Sequence, residues 1–360
     1  MKIKDKNLYF VGGVVRDEIL GQQSFDVDYC YEGNAIDFAQ NMGLNLVKIN
    51  PDFGTVRINY EGEEIDIAST RQEEYPHVGH LPVVSEIGCS LKDDLRRRDF
   101  TINAMAKNTI TDEVTDYFCG LDDIKNKKLK VLHEKSFIED PSRIIRGLKF
   151  SVRFGFELEE KTRKLQDEYL DNINYDLSYH RLKKELKETF NLNNELAYKK
   201  FLDQKIYRLL GEGQPTVQFI TSPEKLINEY KPKHIWLVYL GAYGLKNFEL
   251  NSEEADIIKG FEATKHLKPA DRFSIYKTFC DKPLETVLIY ALTIDKEIAL
   301  DYLQNLRYIT VETTGEDLLN LGIPQGKIYK EIFEFLLKNK IENPKISKQE
   351  ELELVRGMNL

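Results

Sequence analysis

Two glycines and two aspartates near the start of the chain have the types and spacing for phosphate and metal chemistry. Gly12 and Gly13 stand between LYFV and VVRDEIL, and the stretch SFDVDYC places Asp26 and Asp28 one residue apart. In a strand, side chains two apart point to the same face, so Asp26 and Asp28 project together while Phe25 and Val27 face the other way. Two carboxylates held this close repel unless a cation lies between them. A magnesium site is built in this way, from hard carboxylate oxygens completed by the phosphates of a nucleotide. By the same alternation Asp66, in EEIDIAS, can supply a third carboxylate from a neighbouring strand. Glycines between a strand and a helix let phosphates approach exposed N–H groups at the positive end of that helix. The spacing is not Gly-x-Gly-x-x-Gly and no Gly-Lys-Ser/Thr follows, so neither a dinucleotide-binding fold nor a P-loop is supported.

These residues need strands and turns to carry them, and the pattern supplies both. NLYFV reads as a strand, VVRDEIL as a short helix, SFDVDYC as a strand, and VRINYEGEEIDIAST as a hairpin turning at Glu61-Gly62. Beyond about residue 135 the apolar spacing becomes helical, as in RIIRGLKFSVRF, HRLKKELKETF and YKEIFEFLL. A length of 360 residues favours more than one domain, and 41% hydrophobic with 31% charged residues reads as soluble and globular. No apolar run is long enough to span a membrane, no secretory signal opens the chain, and four separated cysteines fit reduced thiols, so a cytoplasmic location is expected. The net charge of -9 argues against a nucleic-acid partner taken alone, but Arg96-Arg97-Arg98 and KNKKLK leave room for a local basic cleft. The sequence carries no signal for an oligomeric state.

The motifs in order, GGVVRD, DVD, RRDFTINAMA and EDPSRIIRGLKFSVRFGF, resemble those of the bacterial-type tRNA nucleotidyltransferases and poly(A) polymerases of the polymerase β superfamily. The resemblance covers roughly residues 8–190. It implies an α+β chain: a small mixed-sheet catalytic head over residues 1–138, a helical neck over 139–200 that recognises the base, and an elongated helical body and tail over 201–360 for tRNA. It implies that Gly12, Gly13 and Arg16 hold the triphosphate. Asp26 and Asp28 would bind two Mg2+ ions with Asp66 as the third carboxylate, and Arg98, Asp99 and Asn103 would contact the ribose. The implied partners are CTP, ATP and the 3′ end of tRNA, and the implied activity is template-independent addition of CCA, with no membrane partner. Enzymes that add only A or only CC, or a poly(A) polymerase, share these motifs. A catalytically silent RNA-binding protein and a small-molecule nucleotidyltransferase are the rivals outside that group.

In EDPSR, positions three apart on a helix share a face, so Asp140 and Arg143 can present an acceptor beside a fork of donors. Cytosine and adenine each offer an amino donor beside a ring acceptor, which this pair can read, whereas uracil and guanine offer the reverse and leave both protein groups unpaired. Pro141 at a first helical position would also make Asp140 a helix cap. Arg146, a turn further on, is a third contact to base or phosphates. The run HRLKKE keeps the Arg181 and Glu185 of a family Glu-Arg-x-x-x-Glu element, and their spacing suits a pair that braces the base-reading helix. His180 departs from that element. In DYFCGLDDI, Cys119 stands where the family's Asp-x-x-Gly-Gly hinge has its first glycine. His77 and His80, in YPHVGHLP, read as loop rather than metal ligands, and this loop lacks the family's Asp-x-Arg-Arg-Pro pattern, which bears on which nucleotide is added.

Overall fold

The computed structural model describes residues 3–24, 27–77, 79, 82–174, 177–192, 194–211 and 217–358. The expected alternation of strand and helix in the first third forms β1 (Leu8–Val11), α1 (Gly13–Ile19), β2 (Tyr29–Tyr31), α2 (Ala35–Asn41), β3 (Asn45–Asn50), β4 (Thr55–Tyr60) and β5 (Glu63–Ser69). A small antiparallel pair, β6 (Arg71–Glu74) and β7 (Val83–Ile87), leads to α3 (Leu91–Arg96), β8 (Met105–Asn108), β9 (Val114–Asp116) and α4 (Gly120–Lys125). Seven strands make one sheet in the order β3-β4-β5-β2-β1-β8-β9, mixed because β2 runs parallel to β5 while the other neighbours are antiparallel.

Strand alternation sorts the core. Val11, Cys30 and Ala106 pack with Leu91 and Leu95 of α3 on one face. On the other, Phe10 meets Tyr29 and Tyr31 stacks on Phe38 of α2 at 4.3 Å. The hairpin read from the sequence is present: Tyr60 pairs with Glu63, and Glu61 and Gly62 both take positive φ (54° and 90°), the two-residue turn whose twist suits antiparallel strands. The strand expected around SFDVDYC is shorter than its pattern, since β2 begins at Tyr29 and Asp28 precedes it. Asp26 lies outside the described residues.

Helices follow: α5 (Ser136–Glu139), α6 (Ser142–Phe154), α7 (Glu160–Asp171), α8 (Tyr179–Phe190) and α9 (Asn194–Asp203). Helix α6 ends at Gly155, whose φ of 69° is the left-handed conformation that glycine adopts without strain. It packs against α8, whose Leu182, Leu186 and Phe190 are buried. Each such side chain contributes about 1.5–3 kcal/mol by leaving water.

The chain divides into two compact units, residues 1–214 with 247–249, and residues 215–246 with 250–360. The second is helical, from Pro223–Tyr230 to Lys348–Arg356. Its interior holds Trp236, Tyr239, Phe279 and Tyr290. Near its end the buried Lys340 ammonium pairs with Glu351 at 3.0 Å, and Glu351 also accepts from the N–H groups of Glu312 and Thr313.

The turn before α4 explains the departure at Cys119. Asp116 accepts from the N–H groups of Phe118, Gly120 and Leu121, closing a turn in which Cys119 takes φ 64°. Glycine suits that backbone; cysteine adopts it at some strain. At Gly120 a Cβ would lie 2.4 Å from the Thr101 carbonyl oxygen, so this glycine is required by space. Gly120→Ala is expected to lose about 1–3 kcal/mol of stability through overpacking, and Cys119→Gly to change stability by no more than about 1 kcal/mol. Urea denaturation of the two variants checks both.

Candidate functional site

A cleft of about 710 Å³ opens in the first unit. Every site residue selected from the sequence and described by the structure lines it, except Asp66. Ten arginines and lysines line it against six carboxylates, a basic cleft on an acidic protein.

Its floor starts at the turn between β1 and α1. Gly12 takes φ 73°, and a Cβ there would stand 2.9 Å from Arg98 Nη1, so the close approach of Arg98 to the backbone requires glycine. Arg98 is held by Asp94, which also accepts from Arg97 at 2.8 Å and from the Arg71 N–H. Burial alone would raise the Asp94 pKa, but Arg98 and Arg97 bring it below the usual range. Asp94 was not selected from the sequence; its spacing of three and four residues from Arg97 and Arg98 was the available signal.

Arg16 was expected to hold phosphates, yet it is buried. Its fork is engaged by Asp17 at 2.6 Å and by Asn103 Oδ1, and its guanidinium lies 4.7 Å from the Phe154 ring centroid. Burial lowers its pKa. From Arg16 a polar chain runs through the site. Asn103 donates to Asp99 at 2.9 Å, Asp99 accepts from Arg146 at 2.7 Å, and Arg146 reaches Glu185 at 3.2 Å. Lys149 also binds Glu185, at 2.6 Å. Burial would push the Asp99 carboxyl up, but the Arg146 charge with donors from Asn103 and the Phe100 N–H holds it down at about 2. Asp99, Asn103 and Arg146 therefore join the sheet to α6 and α8 as well as lining the cleft.

Asp140 and Arg143 stand side by side as their spacing implied, with Arg143 Nε 3.9 Å from Asp140 Oδ2. Asp140 Oδ1 accepts from the Ser142 N–H at 3.1 Å and from its hydroxyl, so the aspartate also caps the start of α6, with Pro141 just outside the helix. Its Oδ2 accepts from Arg181. Arg143 donates to Ser136 Oγ at 2.7 Å, to the Arg97 carbonyl at 2.8 Å and to the Tyr75 hydroxyl at 3.2 Å. The brace expected between Arg181 and Glu185 is replaced by cross-helix bonds, Arg181 to Asp140 and Glu185 to Arg146 and Lys149. Tyr75 and Ser136 were not selected, because only the fold brings them to Arg143.

The carboxylates lie along the sheet. Asp28 is exposed, and its carbonyl accepts from the Val11 N–H at 3.1 Å. Tyr29 pairs with Ile67, so Asp28 falls beside Asp66 in the parallel register, on the same face. Asp66 does not stand free: Arg57, opposite it on β4, grips both its oxygens at 2.8 and 2.7 Å and lowers its pKa. Asp28 and Asp66 line a shared second cavity. Hard carboxylate oxygens from β5 and from the residue just before β2, facing one cavity, suit a divalent cation. Among the described residues no group of three or more His, Cys, Asp or Glu is arranged to hold a metal; Asp26 and His80 lie outside them, and His77 is exposed in a loop.

A mixed sheet with a glycine turn, neighbouring carboxylates and an aspartate–arginine pair on the next helix defines a nucleotidyltransferase head followed by a helical stem. A family model described as the poly A polymerase head domain matches residues 8–130. An A-adding tRNA nucleotidyltransferase of Halalkalibacterium halodurans is 31% identical over 97% of this chain and 88% of its own. One from Aquifex aeolicus is 46% identical over 44% of this chain; the match spans 20% of that longer protein. Among solved structures, a CCA-adding enzyme in an apo form superposes with a TM-score of 0.77 at 27% identity, covering 97% of this chain and 91% of that one. The Thermotoga maritima CCA-adding enzyme complexed with tRNA gives 0.72 at 26% identity, covering 97% and 90%. The chain belongs to the tRNA nucleotidyltransferases of the poly(A) polymerase family. Enzymes of this family generally use a divalent metal.

The depressed Asp99 carboxyl sets a pH dependence. A group whose folded pKa lies below its unfolded value of about 3.9 contributes stability above that value and loses it as pH falls through the folded pKa. Asp99→Asn is expected to cost about 2–4 kcal/mol at pH 7, because it leaves Arg146 short of its counter-charge. The gap between wild type and variant should narrow from about pH 4 and close near pH 2, as measured by urea denaturation across that range.

Proposed function

We propose that this chain is a cytoplasmic, template-independent nucleotidyltransferase that adds C and A residues from CTP and ATP to the 3′ end of tRNA. The observation that carries the reading is one basic cleft in which the Gly12 turn, Asp28 and the Asp140–Arg143 pair meet. Gly12 and Gly13 give the triphosphate access to backbone, with Arg98 beside Gly12. Arg16 supports that turn from beneath. Asp28 and Asp66, with Asp26, would hold Mg2+, which when bound polarises the α-phosphate and stabilises the departing pyrophosphate. The 3′ hydroxyl of the RNA attacks the α-phosphorus in line as the bond to pyrophosphate breaks. Arg98, Asp99 and Asn103 form the ribose side of the site and favour ribonucleotides.

Selection falls to Asp140 and Arg143. An Asp140 oxygen accepts from the amino group of cytosine or adenine, and the Arg143 fork donates to the ring acceptor beside it. Arg181 and Ser142 fix the carboxylate; Ser136, Tyr75 and the Arg97 carbonyl fix the fork. Residues 1–138 act as catalytic head, 139–200 as base-reading neck, and 201–360 grip the tRNA. A second reading, addition of A alone, is favoured by the loop after Tyr75, which lacks the Asp-x-Arg-Arg-Pro pattern, and by the A-adding names of two relatives.

Transcripts ending before, within and after CCA, offered labelled CTP and ATP separately, test this. CTP on the shorter ends and ATP on the CC end supports CCA addition; ATP on the CC end alone selects the second reading; no incorporation overturns both. Asp28→Ala is expected to abolish incorporation while tRNA binding persists in a gel-shift assay. Asp140→Ala should weaken discrimination against UTP and GTP by about 1–3 kcal/mol, roughly 5–150-fold in competition assays.

A further inference from the structure

A second cavity, about 440 Å³, adjoins the cleft along Asp28, Arg71 and Arg98. One row across the sheet lines it, in which Val11 neighbours Asp28, Asp28 neighbours Asp66, Asp66 pairs with Arg57, and Arg57 pairs with Lys48. Lys48, Arg57, Arg71 and Arg98 stand here against two carboxylates, on a chain whose net charge is -9. A local excess of cations beside a reacting centre suits a polyanion, and phosphodiesters above all.

In-line transfer requires the attacking hydroxyl on the side of the α-phosphorus away from the departing pyrophosphate. With the triphosphate at the Gly12 turn, the acceptor strand comes to Asp28 from this second cavity. Arg57 is engaged there by Asp66, but both side chains are about half exposed (44% and 57%), and such a pair is cheap to break. A phosphate offers the guanidinium fork the same bidentate geometry as a carboxylate. Building on the tRNA reading, we propose that the Lys48–Arg57 cavity holds the last phosphodiesters of the acceptor strand. As that strand binds, Arg57 passes from Asp66 to a phosphate, and the Asp66 carboxylate is released toward Asp28.

Fluorescence anisotropy with a labelled tRNA acceptor minihelix bearing a single-stranded CC end, in EDTA, tests this without turnover. Lys48 is exposed, so Lys48→Ala removes charge without disturbing the core. It should weaken binding about 3–10-fold and lower the salt slope by about 0.7. A minihelix trimmed to its last base pair should bind wild type and Lys48→Ala alike. Asp66→Asn frees Arg57 and should tighten binding about 3-fold, a gain that disappears in an Arg57→Gln background. Unaltered binding by Lys48→Ala, or an equal loss on the trimmed minihelix, overturns the site. A gain from Asp66→Asn that is absent, or that persists without Arg57, overturns the exchange. Wild-type protein that binds neither minihelix overturns the tRNA reading itself.

Discussion

The pairing of Asp99 with Arg146 is the contact on which the rest of the site depends. Asp99 belongs to the RRDFTIN segment that precedes β8, and Arg146 to α6, so the ion pair closes only when the sheet and the first stem helix are docked. The Asp99 side chain is 8% exposed, which would make its charge costly without a cation against it and N–H donors from Asn103 and Phe100. Through Asn103 the same carboxylate fixes Arg16 beneath the Gly12 turn, and through Arg146 it reaches Glu185 on α8. The Gly12 turn, α6 and α8 thus share one polar spine.

That spine also reconciles an acidic chain with a basic cleft. Carboxylates here mostly restrain arginines rather than cancel them: Asp94 holds Arg97 and Arg98, Asp17 holds Arg16 and Arg153, and Glu185 holds Arg146 and Lys149. Each of these three acids fixes two cations, so the surplus charge faces the cleft from defined positions. Preorganised charge of this kind acts on a developing negative charge without the cost of reorienting at the moment of reaction.

The sequence carried the local features of this arrangement. Gly12, the Glu61-Gly62 turn and the neighbouring placement of Asp140 and Arg143 follow from backbone conformation and periodicity, and these read correctly. Where residues meet across elements, spacing misled: Arg181 and Glu185 suit each other on one helix, but Asp140, just before α6, takes Arg181, and Arg146 of α6 takes Glu185. Arg16 and Asp66 show the same limit, since a motif names a residue type without saying whether another side chain already engages it. Tyr75 and Ser136 carry no mark of their own; they matter through the guanidinium group that the fold delivers to them.

The hairpin between β4 and β5 constrains how this protein can vary in length. Its two-residue turn sets Arg57 against Asp66, while β5 is separately keyed to β2. Inserting or deleting a single residue at Glu61-Gly62 would set those two alignments in conflict, turning either the arginine or the aspartate to the opposite side of the sheet. Evolutionary drift at this point should therefore come in pairs of residues or be absorbed by a bulge.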